Sequence, residues 1–384
     1  MPDYKLHMNN IQMVDLKGQY QKIKNEIDTA IAGCIDSAAF INGPEVKQFT
    51  LALESYLNVE KVIPCANGTD ALQIAMMALE LKAGDEIIVP AFTYVATAEV
   101  IGLLNLVPVM VDVDPQTFNV TADIIEKAIT PKTKAIVPVH LFGQCADMSP
   151  ILKIAKQYGL YVIEDTAQAI GADYTFEDGR KMKAGTMGDI GCTSFFPSKN
   201  LGCYGDGGAI YTNSKTLGEK IQMVANHGQV KKYIHKYIGV NSRLDSIQAA
   251  ILGVKLPHLN KFSAARSSAA DYYDKHLGQL EGLIIPTRSS NSTHVFHQYT
   301  IQVKQDKRDA LKAFIESRNI PCMIYYPIPL NEQEAFQQIG KVVGDLSVTR
   351  QLCKSVLSLP MHTELSEEQQ DEVINTIKEF FANN

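Results

Sequence analysis

The sequence predicts an α/β protein with one large, mostly parallel β-sheet and a smaller α+β domain at the C-terminus. After the first sixty residues, short strand-like segments alternate with segments whose apolar positions recur at helical spacing. The strand-like segments are apolar nearly throughout, as in a sheet covered by helices on both faces. The last third of the chain loses this alternation. Because 384 residues exceed one ordinary domain, we expect a large domain with an N-terminal helical arm over residues 1–250, and a small domain over residues 251–384.

The predicted elements of the large domain begin with a helix that Asn67 caps. In chain order we expect helix ANGTDALQIAMMALEL, strand EIIVP, helix TYVATAEVIGLLN, strand VPVMVDVD, helix TADIIEKAI, strand KAIVPVH, helix SPILKIAKQYG, and strands LYVIEDTAQ, CTSFFP and GAIYT. In the last third we expect a long helix from about Ser242 to Leu277, strand HQYTIQVK, helix KRDALKAFIESRN, strand CMIYYP, and helices in DLSVTRQLCKSVL and SEEQQDEVINTIKEFF. Ligands of parallel sheets bind outside the carboxyl ends of the strands. The residues at those ends here are Thr93, Tyr94, His140, Asp165 and Lys199.

Composition and charge argue against several classes of function. The formal net charge is −6, the isoelectric point is about 5.9 and no long basic run occurs, which is atypical of a nucleic-acid-binding protein. Seven cysteines without a CxxC pair argue against a disulfide framework or a zinc site, so we expect no metal and a reducing, cytoplasmic compartment. The N-terminal segment lacks the apolar core of a signal peptide. The longest apolar region, VATAEVIGLLNLVPVMVDVD, contains Glu99, Asn105 and Pro108, so we expect a helix followed by a strand and no membrane span.

One lysine stands out in the stretch SFFPSKNLGCYGDGGAI. A nucleoside-triphosphate loop has glycines before its lysine and Ser or Thr after it, whereas here the glycines follow Lys199 and the next residue is Asn200. Two interpretations remain open from this stretch alone. Lys199 is either a solvated loop lysine, or a nucleophile whose pKa is lowered by apolar surroundings at the end of a buried strand.

Two further features favour the reactive lysine. Asp165 ends an apolar strand, where a carboxylate is costly unless it meets a cation such as a pyridinium nitrogen. Asn67, Gly68, Thr69 and Asp70 lie at a predicted helix N-terminus, where free N–H groups and the helix dipole favour a phosphate. Pyridoxal phosphate needs a lysine, a carboxylate at its ring nitrogen and a phosphate site, so the three features together predict this cofactor.

Six motifs resemble those of the DegT/DnrJ/EryC1/StrS family of sugar aminotransferases, over nearly the whole chain from about residue 11. They are NGTDAL, PAFTYVATAE, VDVDPQTFNV, VIEDTAQAIGA, SFFPSKNLGCYGDGGAI and GVNSRLDSIQAA. The resemblance implies the type I fold of pyridoxal-phosphate-dependent aminotransferases, and a homodimer whose active sites lie at the subunit interface. Lysine rather than histidine at position 199 implies aminotransfer rather than sugar dehydration.

The resemblance also implies a role for each matching residue. Lys199 would bind the cofactor covalently and move the proton during transamination, and Asp165 would pair with the ring nitrogen. Gln168 would lie near the phenolic oxygen, and the ring of Tyr94 would lie against the cofactor. The implied contacts at the phosphate end are Gly68, Thr69, Asp70, Ser194 and, from the neighbouring subunit, Asn241.

Within the family, the chain most resembles the WbpE/WlbC-type enzymes. These aminate UDP-2-acetamido-2-deoxy-3-oxo-glucuronate, with glutamate as the amino donor, for surface polysaccharide synthesis. One departure is Tyr325, which stands where such relatives often have histidine. The segment YTFEDGRKMKAGTMGD is slightly longer than in such relatives, and we interpret it as a surface hairpin.

An anionic nucleotide sugar needs local cations in an acidic protein. The stretch HGQVKKYIHKYIGVNSR offers several, of which we assign His227 and Arg243 to the substrate, together with Tyr326 from a later segment. For Lys231 and Lys232 a solvated loop is an equal alternative. Two alternative functions remain. One is amination of a UDP- or dTDP-linked 4-keto-6-deoxy sugar, and the other is a non-catalytic regulatory protein that binds pyridoxal phosphate.

Overall fold

The structure, a computed structural model, describes residues 11–383, so part of the segment examined for a signal peptide lies outside it. Its first helices are α1 (Leu16–Lys22), α2 (Lys24–Ser37) and α3 (Pro44–Leu57). Up to residue 225 there follow β1 (Lys61–Cys65), α4 (Gly68–Ala78), β2 (Glu86–Pro90), α5 (Ala96–Leu103), β3 (Val107–Val111), α6 (Ala122–Glu126), β4 (Thr133–Ile136), α7 (Met148–Tyr158), β5 (Tyr161–Asp165), β6 (Asp173–Thr175), β7 (Lys181–Lys183), β8 (Ile190–Ser194), β9 (Gly208–Thr212) and α8 (Lys215–Ala225). The later elements are β10 (Gln229–Lys231), β11 (Ile234–His235), α9 (Ser246–Lys255), α10 (Leu259–Leu277), β12 (Leu283–Ile284), β13 (Tyr299–Val303), α11 (Arg308–Ser317), β14 (Lys341–Val342), α12 (Ser347–Ser355), β15 (Val356–Leu359) and α13 (Glu367–Asn383).

The large sheet has eight strands in the order β1-β9-β8-β5-β4-β2-β3-β14. From β8 to β14 all neighbouring strands are parallel, whereas β9 runs antiparallel to both β1 and β8. A second, antiparallel sheet has the order β12-β13-β15. The mostly parallel α/β architecture predicted from the sequence is therefore confirmed.

Both faces of the large sheet are buried, which explains why its strands carry no polar alternation. All five residues of β2 are buried. Ile88 packs into one apolar cluster, while its neighbours Ile87 and Val89 pack into another on the opposite face, as the two-residue period of a strand requires. A third cluster lies between the antiparallel sheet and residues of α10, α11 and α13.

Three details differ from the prediction. The long helix expected from Ser242 is two helices, α9 and α10, separated by a 3₁₀ turn that contains Pro257, whose missing N–H and ring interrupt an α-helix. The segment CMIYYP is not a strand: it makes one isolated bridge, at Met323, with Pro321 directly before it and Pro327 at its end. The helix predicted in DLSVTRQLCKSVL ends at Ser355, and the residues after it form β15.

The surface hairpin predicted before β8 is confirmed, because β6 and β7 pair antiparallel around an exposed turn. The division at residues 250 and 251 stays a prediction. One short strand from beyond it, β14, extends the large sheet by pairing with β3.

Candidate active site

The carboxyl ends of the parallel strands border a cavity of about 780 Å³. Strand β2 leads to it through Tyr94, β5 ends at it with Asp165, and β8 ends at it with Ser194. Nine residues of the predicted site line this one cavity: Gly68, Thr69, Asp70, Tyr94, Asp165, Gln168, Ser194, Lys199 and Tyr326. Residues from five separate parts of the chain therefore meet at the carboxyl ends of the strands, where the sequence predicts the site.

Lys199 lies in the loop after β8, and its backbone N–H donates to the carbonyl of Phe196 at 2.8 Å. Desolvation of the side chain lowers the pKa of Lys199 to about 8, an effect that the negative charge of Asp165 partly offsets. At neutral pH this increases the fraction of free amine roughly a hundredfold over that of an exposed lysine. The surroundings therefore suit a nucleophile or a general base rather than a solvated surface charge.

Asp165 is 6% exposed and is held by two hydrogen bonds. Its Oδ2 accepts from the hydroxyl of Thr97 at 2.9 Å, and its Oδ1 accepts from the N–H of Ala167 at 3.1 Å. Burial raises the pKa of Asp165, and these hydrogen bonds together with the charge of Lys199 counteract only part of this rise. A carboxylate accepts about four hydrogen bonds, so Asp165 retains capacity for a cationic donor in the cavity.

The N-terminus of α4 forms one end of the cavity. Asn67 caps the helix, because its Oδ1 accepts from the N–H of Asp70 at 2.8 Å. The N–H groups of Gly68 and Thr69 have no acceptor within the helix and lie at the cavity. A Cβ atom at Gly68 would lie only 2.7 Å from the Cβ of Ser194, so glycine permits this close approach. Free N–H groups at a helix N-terminus beside a serine hydroxyl are chemically suited to bind an anion.

Aromatic side chains form another wall. Gln168 is fixed because its Oε1 accepts from the N–H of Phe142 at 2.7 Å and its Nε2 donates to the hydroxyl of Tyr326 at 3.1 Å. The ring of Tyr326 packs edge-on against Phe92, with centroids 6.1 Å apart, and lies 6.2 Å from the ring of Tyr94. Tyr94 is 58% exposed, so its face is free for a planar ligand.

The residue before Asp165 anchors the same strand from the opposite face. Glu164 is fully buried and accepts from the backbone N–H groups of Gly185, Met187 and Gly188 at 2.6–2.8 Å. His140 completes the arrangement with a 2.8 Å contact between its Nε2 and Glu164. Because Nδ1 of His140 accepts from a backbone N–H, Nε2 carries a proton and donates to the carboxylate. This network fixes the strand end that carries Asp165.

Three residues predicted for the site lie outside this cavity. His227 and Asn241 are exposed, and Arg243 lines a separate cavity of about 440 Å³. The hairpin β10–β11 lies between His227 and Asn241 along the chain. The structure therefore does not join these three to Lys199 within one chain, and their roles stay predictions.

Sequence reasoning gave no role to several polar residues of the site. Thr93, His297 and Gln298 line the cavity, and Thr97 holds Asp165 from helix α5. His297 and Gln298 lie in the segment HQYTIQVK, for which the sequence pattern predicts a strand and no functional role. In the sequence, these two residues are a polar pair at the start of an apolar run. No neighbouring residue in the chain indicates that this pair lies near Lys199.

Three other features that the sequence analysis considered are metal ligands, cysteines and membrane-spanning helices. Within residues 11–383, no group of three or more His, Cys, Asp and Glu side chains is placed to hold a metal ion. All seven cysteines are buried and unpaired. In the same part of the chain, no helix has the length and apolarity needed to cross a membrane.

Comparison with known proteins identifies relatives over almost the full length. The model of the DegT/DnrJ/EryC1/StrS aminotransferase family matches residues 21–378. A Geobacillus stearothermophilus protein named "Pleiotropic regulatory protein" is 46% identical, over 97% of this chain and 99% of its own. The UDP-2-acetamido-2-deoxy-3-oxo-D-glucuronate aminotransferase of Pseudomonas aeruginosa is 46% identical, over 92% and 96%. The UDP-N-acetyl-3-dehydro-alpha-D-glucosamine 3-aminotransferase of Acidithiobacillus ferrooxidans is 44% identical, over 96% and 97%.

Solved structures agree with this. A DegT DnrJ EryC1 StrS aminotransferase from Brucella abortus has a TM-score of 0.92 at 40% identity, with 97% of this chain and 99% of that chain covered. The structure of ntda from Bacillus subtilis with bound cofactor PMP has a TM-score of 0.86 at 33% identity, with 94% and 82% covered. The predicted fold and family are confirmed, and the chain belongs to the DegT/DnrJ/EryC1/StrS aminotransferase family.

Proposed function

We propose that this protein is a pyridoxal-phosphate-dependent aminotransferase that moves an amino group from glutamate to a nucleotide-linked keto sugar. The proposed acceptor is UDP-2-acetamido-2-deoxy-3-oxo-glucuronate, and the proposed role is in surface polysaccharide synthesis. The observation that carries this is the single cavity in which a desolvated Lys199, a buried Asp165 and the N-terminus of α4 meet. Relatives named for UDP-linked 3-keto sugars, 46% and 44% identical, support the acceptor.

The polar groups and the free space of the cavity suit this cofactor. The hydroxyl of Thr93 is buried at the cavity and has no hydrogen-bond partner among the described residues, so it is available to a ligand there. Asp165 has acceptor capacity left for a ring N–H, and the glycine at position 68 leaves room for a phosphate beside Ser194. When bound, pyridoxal phosphate supplies an electron sink for the carbanion that forms as a proton leaves the amino donor.

Each group of the chain then has a defined task. The N–H groups of Gly68 and Thr69 and the hydroxyl of Ser194 bind the phosphate. The carboxylate of Asp165 keeps a proton on the ring nitrogen, because a buried anion favours a cation beside it. In the first half-reaction the amine of Lys199 would act as the general base that removes the α-proton of the amino donor. In the second half-reaction its protonated form would act as the general acid that protonates the sugar carbon being aminated.

Gly68→Ala is expected to weaken cofactor binding by about tenfold or more, because the new Cβ would clash with Ser194 and move either the helix N-terminus or the serine. The dissociation constant of pyridoxal phosphate, measured by absorbance titration of the apoprotein, tests this. Gly253→Ala in α9 is the matched control, since a Cβ there meets no atom within 4 Å. Equal cofactor affinity in Gly68→Ala and wild type would remove Gly68 from the phosphate site.

The charges of the cavity support a homodimer with shared active sites. Among the described residues that line it, the charged ones are Asp70, Asp165 and Asp206 and one cation, Lys199. The proposed ligands are a phosphate, a dicarboxylate donor and a nucleoside diphosphate sugar, all anionic, so a further source of cations, such as a second subunit, would complement them. The exposed segment from His227 to Arg243 carries such cations. We propose that it serves the cavity of the second subunit, with Asn241 at the phosphate.

Mixed dimers test this arrangement. Arg243→Ala and Lys199→Ala homodimers are each expected to be inactive or nearly so. When the two variant chains are co-expressed and the mixed dimer is isolated with different tags, one of its two sites has both an intact Lys199 and an intact Arg243, so activity returns. A mixed dimer no more active than the two variant homodimers would contradict a shared site.

The acceptor is tested with a panel of keto sugars and glutamate, with the aminated product identified by mass spectrometry. The panel contains UDP-linked 3-keto sugars with a carboxylate or a hydroxymethyl group at C5, and UDP- and dTDP-linked 4-keto-6-deoxy sugars. Preferred amination of the 3-keto glucuronate supports the proposal. Preference for a 4-keto-6-deoxy sugar would keep the reaction class and replace the acceptor.

A regulatory function is the second candidate, because a relative of 46% identity carries a regulatory name. The cavity argues against a purely regulatory protein. A binding function alone does not require a lysine whose pKa is lowered to about 8, directed at the same cavity as a buried carboxylate. Cofactor binding without any amino transfer, with glutamate and the full sugar panel, would favour regulation.

A further inference from the structure

A buried histidine lies beside Lys199 with no task in the chemistry described so far. His297 lines the cavity and is 4% exposed. Its Nδ1 atom is buried and has no hydrogen-bond partner among the described residues. An imidazole nitrogen left without a partner costs free energy, so its presence at a ligand cavity points to a ligand atom that completes it.

The backbone around His297 is held on two sides. Nη1 of the buried Arg266 donates to the carbonyl of His297 at 3.3 Å and to the carbonyl of the preceding residue at 3.1 Å. Nδ2 of Asn200 donates to the carbonyl of Val295 at 2.8 Å, and Asn200 directly follows Lys199 in the chain. The segment with the imidazole is therefore fastened to the loop that carries the lysine, which fixes one relative to the other.

The imidazole is neutral at physiological pH. Burial holds the pKa of His297 well below its usual range, and the positive charges of Lys199 and Arg266 lower it further. A neutral imidazole offers one N–H donor and one acceptor nitrogen, which match a hydroxyl or an amide. Carboxylates are instead bound best by cationic groups such as arginine, in charge-assisted pairs.

This difference separates the two proposed substrates. Apart from its reacting amine, glutamate presents only carboxylates, whereas the proposed keto sugar presents a ring hydroxyl and an acetamido group besides its carboxylate. We propose that the imidazole of His297 hydrogen-bonds a neutral polar group of the sugar and thereby selects and positions the acceptor. This inference rests on the proposed function and adds to it a specificity-determining residue that acts in only one of the two half-reactions.

Three substitutions and one control test it. His297→Phe keeps the ring shape and removes both nitrogens, His297→Asn places a polar atom near Nδ1, and His297→Gln places one near Nε2. The control is His362→Phe. His362 is also a buried histidine with an unpartnered nitrogen, and burial also lowers its pKa, to about 4, but it does not line this cavity.

Each half-reaction is followed by stopped-flow absorbance of the bound cofactor. Calorimetry with UDP-N-acetylglucosamine, which carries a hydroxyl in place of the ketone and does not react, gives a binding constant independent of turnover. Thermal unfolding reports the structural cost of each variant. We expect His297→Phe to lower kcat/KM of the keto-sugar half-reaction, and to weaken binding of this nucleotide sugar, by about 10- to 100-fold. The glutamate half-reaction stays unchanged, and either Asn or Gln restores most of the loss.

The control variant and several other results decide whether the inference holds. His362→Phe is expected to lower the unfolding temperature and to leave both half-reactions unchanged. Equal slowing of both half-reactions by His297→Phe, no slowing of either, no recovery with Asn or Gln, or the same pattern in the control would each overturn the inference. A wild type that reacts with glutamate but with no nucleotide keto sugar would refute the proposed function, and the inference with it. An active wild type with an unaffected His297→Phe would refute the inference alone.

Discussion

Lys199→Ala is expected to abolish amino transfer, with a loss of about 10⁴-fold in turnover, because Lys199 carries the only side-chain amine among the described residues that line the cavity. The purified variant is also expected to lack the absorbance band of lysine-bound pyridoxal phosphate. Both effects follow from the position of the amine in the cavity and from its pKa of about 8. An absorbance spectrum and a single-turnover assay with glutamate measure them.

The chain provides a matched control in a second buried lysine. Burial lowers the pKa of Lys255 to about 8 as well, but its Nζ donates to the carbonyl of Gly202 at 2.7 Å and lies 4.4 Å from the ring centroid of Tyr204, away from the cavity lining. Lys255→Met is expected to lower stability and to keep the absorbance band. Full activity in Lys199→Ala, or loss of the band in Lys255→Met at an unchanged fold, would contradict the assignment.

Asp165→Asn is expected to have the second largest effect, a loss of about 10²- to 10³-fold in kcat together with weaker cofactor binding. The amide oxygen of asparagine can keep the hydrogen bond from the N–H of Ala167, and its NH₂ group can donate to the hydroxyl of Thr97. The amide carries no negative charge to hold a proton on the ring nitrogen. Kinetics of the glutamate half-reaction and cofactor titration measure the two effects.

A substitution of the neighbouring carboxylate, Glu164, serves as a control, because it is expected to change the stability of the fold and not the chemistry of the site. Glu164 is fully buried on the opposite face of β5, where it accepts hydrogen bonds from three backbone N–H groups. Glu164→Gln replaces one acceptor oxygen with a donor, so we expect it to lower the free energy of unfolding by about 1–3 kcal/mol and to keep the spectrum of the bound cofactor. Wild-type kcat in Asp165→Asn would contradict the proposed role of that carboxylate.

Local pattern was sufficient for most of the large sheet. The burial of β2 and the N-terminal cap of α4 depend on residues that are close together in the chain. Asn67, for example, accepts the capping hydrogen bond from the residue three positions further on. Parallel strands bring their carboxyl ends to one edge of the sheet, so the sequence alone predicts that Asp165 and Lys199 lie close together. The prediction failed where interruption by proline decided the outcome, at Pro257 and in the segment CMIYYP.

The remaining parts of the site depend on contacts between distant segments. Thr97 reaches Asp165 across 68 positions of the chain, and Tyr326 reaches Gln168 across 158. His297 enters the cavity because Arg266 and Asn200, from two other elements, fix its backbone. Periodicity indicates which face of an element is buried, but it carries no information on which distant segment covers that face.

The most direct measurement of the proposed function is the absorbance spectrum of the purified protein with pyridoxal phosphate, followed through both half-reactions. We expect a band of lysine-bound cofactor, which glutamate removes and which UDP-2-acetamido-2-deoxy-3-oxo-glucuronate then restores, because both half-reactions use the same Lys199. A protein that shows no such band, or a band that glutamate leaves unchanged, would contradict the assignment of this cavity to amino transfer.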